Sequence, residues 1–156
     1  YFIIGVVGIQ QGGLAVNALV VFGIAYAVMN TGAFVVTQSC GPRLRDFNGL
    51  GKRHPAMAVG MTIFLLSLVG VPPLAGFAGK FLLFGTAIGS GYTWLAVAAI
   101  INSVISLAVY LRIIIPMFFS EPEEAPAAVK PGIRFVWITT FILTIGVGLG
   151  LQWFLV

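Results

Sequence analysis

One run of the 156-residue chain, "LLSLVGVPPLAGFAGKFLLF" (residues 65–84), sets two adjacent prolines, Pro72 and Pro73, and one lysine, Lys80, in an otherwise apolar stretch. Lysine can exist with or without its proton when taken out of water, whereas arginine keeps its proton. In hydrocarbon a lysine charge costs about 2.5–3.5 kcal/mol on insertion scales. The nearest charged side chains along the chain are Arg53 and Arg112, so no sequence neighbour offsets that cost. The prolines lack N–H groups, so carbonyls about four residues earlier lose their helical partners, and the Pro73 ring disfavours α geometry at Pro72. Together these residues suit a proton-exchanging amine beside a break in a helix, an arrangement that transporters use for ion sites. Two plainer readings stand beside it: a structural kink at the prolines, and a Lys80 stem that snorkels toward a head group.

Other polar side chains could extend a proton path. Asn30 and Gln38 lie eight residues apart, roughly on one helical face, while Asn102, Ser106 and Tyr110 follow one another at intervals of four. Hydrogen-bonded contacts between membrane helices explain both stripes equally well. The single cysteine, Cys40, allows no internal disulfide and no metal-ligand spacing. The expectation is no metal and no cofactor held by this chain. His54, in a basic loop beside Pro55, reads as a surface residue.

The elements that must position these residues are membrane helices. The chain is 60% hydrophobic and 8% charged, with a mean hydropathy of +1.09, whereas a soluble domain carries roughly 25% charged residues. Four apolar stretches are each long enough to cross a ~30 Å hydrocarbon core. The alternation of a β-barrel is not visible. The expected fold is therefore all-α and polytopic, with four transmembrane helices plus the end of a fifth. Residues 1–11 read as the tail of a preceding helix, too short to span and unlike a signal peptide. Helix A is expected over 14–40, helix B over 56–88, helix C over 94–119 and helix D over 135–155. Helix B, too long for one straight crossing, is expected to be discontinuous at the Pro72–Pro73 pair. Pro122, Pro126 and Pro131 are expected to keep the loop before helix D non-helical.

Charge sets the orientation. The loop between A and B holds Arg43, Arg45, Lys52 and Arg53, the loop between C and D holds Lys130 and Arg134, and the turn between B and C holds no charge. Counted by Lys and Arg, loops 41–55 and 120–134 belong on the cytoplasmic side. The net charge of +4 then follows from topology and implies no nucleic-acid partner.

The run quoted above, with "INSVISLAVYLRIIIPMFF", "YAVMNTGAFVV" and "DFNGLGKRHP", resembles subunit N of proton-translocating NADH–quinone oxidoreductase, respiratory complex I. The likeness covers nearly the whole chain, and "GVPPLAGFAGKF" is specific to the antiporter-like membrane subunits. The resemblance implies a C-terminal fragment of a subunit with two inverted five-helix repeats, each containing one discontinuous helix, of which helix B is the second. It implies that Lys80 exchanges protons along a central polar axis and releases them outward. It also implies that NADH, FMN, Fe–S clusters and quinone are bound by other subunits, with none held here. The partners implied are the other membrane subunits, the lipid bilayer and protons, in a bacterial plasma (inner) membrane. Two alternatives remain open: a cation/proton antiporter subunit on the same scaffold, and a structural membrane subunit with an inert lysine.

Overall fold

A computed structural model describes residues 1–7, 13–122 and 129–155. Its secondary structure is helical throughout the described residues: α1 (Phe2–Val7), α2 (Gly13–Cys40), α3 (Leu50–Arg53), α4 (Pro55–Val69), α5 (Ala75–Gly89), α6 (Thr93–Phe119) and α7 (Pro131–Leu155), with a 3₁₀ turn at Leu44–Phe47. Among the described residues three helices are long and apolar enough to cross a membrane: Val16–Cys40, Thr93–Phe119 and Pro131–Gly150. The region expected as helix B forms two helices of 15 residues each. At 1.5 Å per residue each is about 22 Å long, short of a ~30 Å core on its own.

α2 is the central element and packs against α4, α5 and α7. Its buried residues Ala18, Phe22, Ala25, Met29, Ala33 and Val36 recur every three or four positions, forming one stripe. The opposite face exposes Val16, Val20, Ile24 and Phe34. The stripe serves two apolar cores. Ala33 and Val36 join Phe47, Met57, Met61, Phe64 and Met117 near the long loops. Ala18 and Phe22 join Ile4, Leu83, Ala87, Ala96 and Ala99 at the other end. Between them, Ala25 and Met29 meet Ala75, the first residue of α5, so the interruption between α4 and α5 lies at mid-height in the bundle.

Backbones come close at the interruption. Gly76 sits so near Ser67 that a Cβ there would overlap the Ser67 carbonyl, and Gly148 of α7 abuts the backbone of Pro73, Leu74 and Ala75. Only small residues allow helices to approach so closely.

The polar loop after α2 carries the 3₁₀ turn and α3 and is tied down by hydrogen bonds: Arg43 N–H donates to Asp46 Oδ2 at 2.9 Å, Arg53 Nη2 donates to the Asp46 carbonyl at 2.6 Å, and Gly49 N–H donates to Pro116 O at 3.0 Å. Pro131 was expected to keep its surroundings non-helical, yet α7 starts there. A first helical position needs no N–H partner, so proline is at home in it. Pro126 lies outside the described residues, as do Glu123 and Glu124.

Candidate functional site

The site begins with the way α4 stops. Gly70 adopts φ +95°, a left-handed conformation that favours glycine. Gly70 N–H then donates to Ser67 O at 3.0 Å and Val71 N–H to Leu66 O at 3.1 Å, closing the helix in a Schellman arrangement. Two carbonyls of the last turn, Leu68 O and Val69 O, are left over. They precede Pro72 and Pro73 by four residues each, so in a continuous helix the two prolines would have no N–H to offer them.

Lys80 fills that gap. Its side chain is 6% exposed, and Nζ donates to Leu68 O at 2.9 Å and to Val69 O at 2.7 Å. A third hydrogen bond, 3.0 Å long, goes to Ser103 Oγ on α6. All three N–H groups of an ammonium are therefore used. The stem turns back toward the end of α4 rather than along α5 toward a head group. Nζ also lies 4.3 Å from the centre of the Tyr1 ring, within cation–π range. Positive charge at a helix C-terminus is favoured by the helix dipole. Among the described residues no carboxylate pairs with Lys80.

Ser103 is the junction. Its hydroxyl is bonded to Tyr1 Oη as well as to Lys80, and Tyr1 Oη donates to Ala99 O at 2.9 Å. With the Tyr1 proton committed to Ala99 O, the hydrogen bonds run in one direction, from Lys80 N–H to Ser103, from Ser103 to Tyr1, and from Tyr1 to the α6 backbone. Lys80 and Ser103 also edge a cavity of about 250 Å³ between α5 and α6, whose other walls include Phe77, Phe81, Ile100 and Val104. On the far side of the interruption, the buried Ser67 hydroxyl donates to Met29 Sδ at 2.6 Å and accepts from Gly76 N–H at 3.2 Å, tying α2, α4 and α5 together.

The other polar residues singled out in the sequence do not meet Lys80. Asn30 Nδ2 donates to Tyr26 O and Ser106 Oγ to Asn102 O, both within their own helices. Gln38 and Asn102 are exposed, and Tyr110 packs beside the core near the long loops. Pro72 and Pro73 are themselves exposed and line the outside of the interruption. Sequence reasoning missed Ser103 and Tyr1. The available signal was the spacing of Ala96, Ala99 and Ser103, small residues at i, i+3 and i+7 that let α6 approach α5. Among the described residues no group of three or more His, Cys, Asp and Glu side chains is placed to hold a metal ion.

Residues 1–106, which include both halves of the interrupted helix, Lys80 and Ser103, match the family described as NADH:quinone oxidoreductase/Mrp antiporter, TM. The chain belongs to this family. Among curated relatives it is 42% identical over 148 residues to NADH-quinone oxidoreductase subunit N 1 of Thermodesulfovibrio yellowstonii, covering 94% of this chain and 31% of that protein. It is 37% identical over 164 residues to the subunit N 1 of Solibacter usitatus, covering 99% of this chain and 33% of that protein. A solved chain of respiratory complex I from Thermus thermophilus with bound aureothin superposes with a TM-score of 0.80 at 29% identity, over 94% of this chain and 34% of that chain. The chain thus spans about a third of the length of the relatives it matches. The resemblance to subunit N agrees with these matches. The family and the apolar helices make this an integral membrane chain of the antiporter-like type.

Proposed function

We propose that this chain is part of a proton-translocating membrane subunit of a redox-driven NADH–quinone oxidoreductase, in which Lys80 is the proton-exchanging amine of a half-channel. The observation that carries this reading is the set of partners around Nζ. Leu68 O and Val69 O only accept hydrogen bonds, while the Ser103 hydroxyl both accepts and donates. A protonated Lys80 gives three N–H groups to three acceptors. A neutral Lys80 keeps two N–H groups on the carbonyls and accepts the Ser103 O–H on its lone pair, while the Tyr1 hydroxyl turns from Ala99 O to donate to Ser103 Oγ. Either protonation state is satisfied with little movement of heavy atoms, as a group that repeatedly takes up and releases a proton requires.

In this reading α4 and α5 together make one crossing, so that α2, α4–α5, α6 and α7 cross four times and α1 is the end of a fifth helix. Loops 41–55 and 120–134 face the cytoplasm of a bacterial cell and the turn near Tyr92 faces outward. NADH, FMN, Fe–S clusters and quinone belong to other subunits, and neighbouring membrane subunits deliver protons to the Lys80 region. Asn30, Gln38, Asn102, Ser106 and Tyr110 are not required for that step.

The test is proton translocation per electron in vesicles containing the assembled complex, with quinone reduction followed in the same sample. Lys80→Met is expected to lose translocation. Lys80→Arg separates the proton role from a purely structural cap, because arginine supplies donors and charge to Leu68 O and Val69 O but does not release its proton. Normal translocation in the arginine variant would leave Lys80 as a helix cap alone. The family description also names antiporters. Proton movement that persists with electron transfer blocked and follows a cation gradient would favour that second reading.

A further inference from the structure

At the end of the bundle that carries the long loops, α4 and α7 begin side by side around a cavity of about 410 Å³, bordered by Arg53, Met57, Arg134, Trp137 and Ile138. It lies well away in the chain from the interruption between α4 and α5, and the proton-exchange reading does not use it. Among the described residues no acidic side chain lines it.

Among the described residues, two buried side-chain nitrogens lack a hydrogen-bond partner: Arg53 Nε and Trp137 Nε1. Both residues line this cavity. Trp137 Nε1 packs against Gly60 of α4, so of the two it is Arg53 that belongs to the basic end of the cavity. The guanidinium of Arg134 adds a second positive charge at the same place, and no carboxylate pairs with it among the described residues. The first turns of α4 and α7 contain no acidic residue, so the positive ends of both helix dipoles act in the same sense.

The apolar part of the cavity says what kind of anion fits. Arg134, Ile138 and Ile142 follow one another at intervals of four along α7, one face of the helix. Ile138 is 37% exposed and Ile142 62% exposed. A guanidinium at the boundary, with an open apolar track running from it into the membrane-spanning part, suits a molecule with an anionic head and a hydrocarbon tail. A free phosphate would use the first feature and not the second.

We infer that this cavity is a binding site for an anionic phospholipid, its phosphate held by Arg53 and Arg134 and one acyl chain lying along Ile138 and Ile142. Basic recesses between membrane helices recognise such head groups through the same charge complementarity.

The experiment uses the assembled complex purified in neutral detergent and incubated with phosphatidylglycerol carrying a photoreactive acyl chain. Crosslinked peptides are then identified by mass spectrometry. The expected crosslinks fall on α7 between Ile138 and Ile142. Arg134→Gln, at an exposed position on α7, is expected to reduce crosslinking by about fivefold or more. Unlabelled phosphatidylglycerol is expected to compete, with phosphatidylcholine and inorganic phosphate competing poorly. Unchanged crosslinking in Arg134→Gln, no crosslink on α7, or equal competition by phosphatidylcholine would overturn the proposal. Competition by inorganic phosphate at the potency of phosphatidylglycerol would also overturn it, by making the site one for free phosphate.

Discussion

Lys80 Nζ lies 2.7 Å from the carbonyl oxygen of Val69, eleven residues earlier in the chain and on the other side of the interruption between α4 and α5. One side chain therefore completes the end of one half-helix while anchored in the other. The same bond explains why an isolated lysine is tolerated at this depth. With the bond to Leu68 O it replaces two missing backbone donors in a region where an unsatisfied carbonyl finds no water. The structural role and the proposed proton role are not competitors. The carbonyls hold the nitrogen in place, and Ser103 is the partner able to change its part.

The capping role predicts a stability difference. Lys80→Met leaves Leu68 O and Val69 O without donors, and each unsatisfied buried acceptor costs about 1–3 kcal/mol. The assembled complex should lose thermal stability in Lys80→Met and lose less in Lys80→Arg. Melting curves of the purified variants, read beside their translocation, test this. Equal melting of Lys80→Met and the parent protein would mean that water satisfies those carbonyls.

Ser103→Ala should impair translocation although Lys80 is intact. The substitution removes the one partner that can both accept from the ammonium and donate to the amine, a hydrogen bond of about 1–1.5 kcal/mol. That corresponds to roughly a tenfold slower proton transfer. Ser103→Thr keeps the hydroxyl and should retain most of the rate. If alanine and threonine variants translocate alike, the hydroxyl only packs α6 against α5.

Gly76→Ala should disrupt the crossing of α4 and α5. Its Cβ would overlap the Ser67 carbonyl, which is backbone and has no rotamer to yield. Overpacking of this kind typically costs about 1–3 kcal/mol, seen as lower assembly or a lower melting temperature. Gly85→Ala is the matched control in the same helix, since a Cβ there meets nothing within 4 Å. It should be neutral or stabilise by roughly 0.5–1 kcal/mol, through the entropy that glycine loses on folding.

Sidedness can be read with a thiol reagent that does not cross membranes. In a Cys40→Ser background, cysteines at Lys52 and Lys130 should react in inside-out vesicles, and one at Tyr92 should react in right-side-out vesicles. Lys52, Tyr92 and Lys130 are all exposed, so reactivity reports the side of the membrane rather than burial. Labelling of all three from one side would reject four crossings.

The sequence alone determined the helical class, through apolar runs too long and too poor in charge for a soluble domain. It also singled out Lys80 and the carbonyls near Leu68 and Val69, because a proline at position i deprives the carbonyl at i−4 in any helix. The partners of Lys80 were decided by the tertiary structure. Asn102, Ser106 and Tyr110 form the more conspicuous polar stripe on α6, yet Ser103, one position and about 100° around the helix from Asn102, is the residue that reaches the amine. Hydropathy could not make that choice, because apolar residues flank both Asn102 and Ser103 on α6, and its rotation follows from the close approach of Ala96 and Ala99 to Leu83 and Ala87. Tyr1 reaches the same site from the opposite end of the sequence, 102 positions from Ser103, so no local pattern announces it.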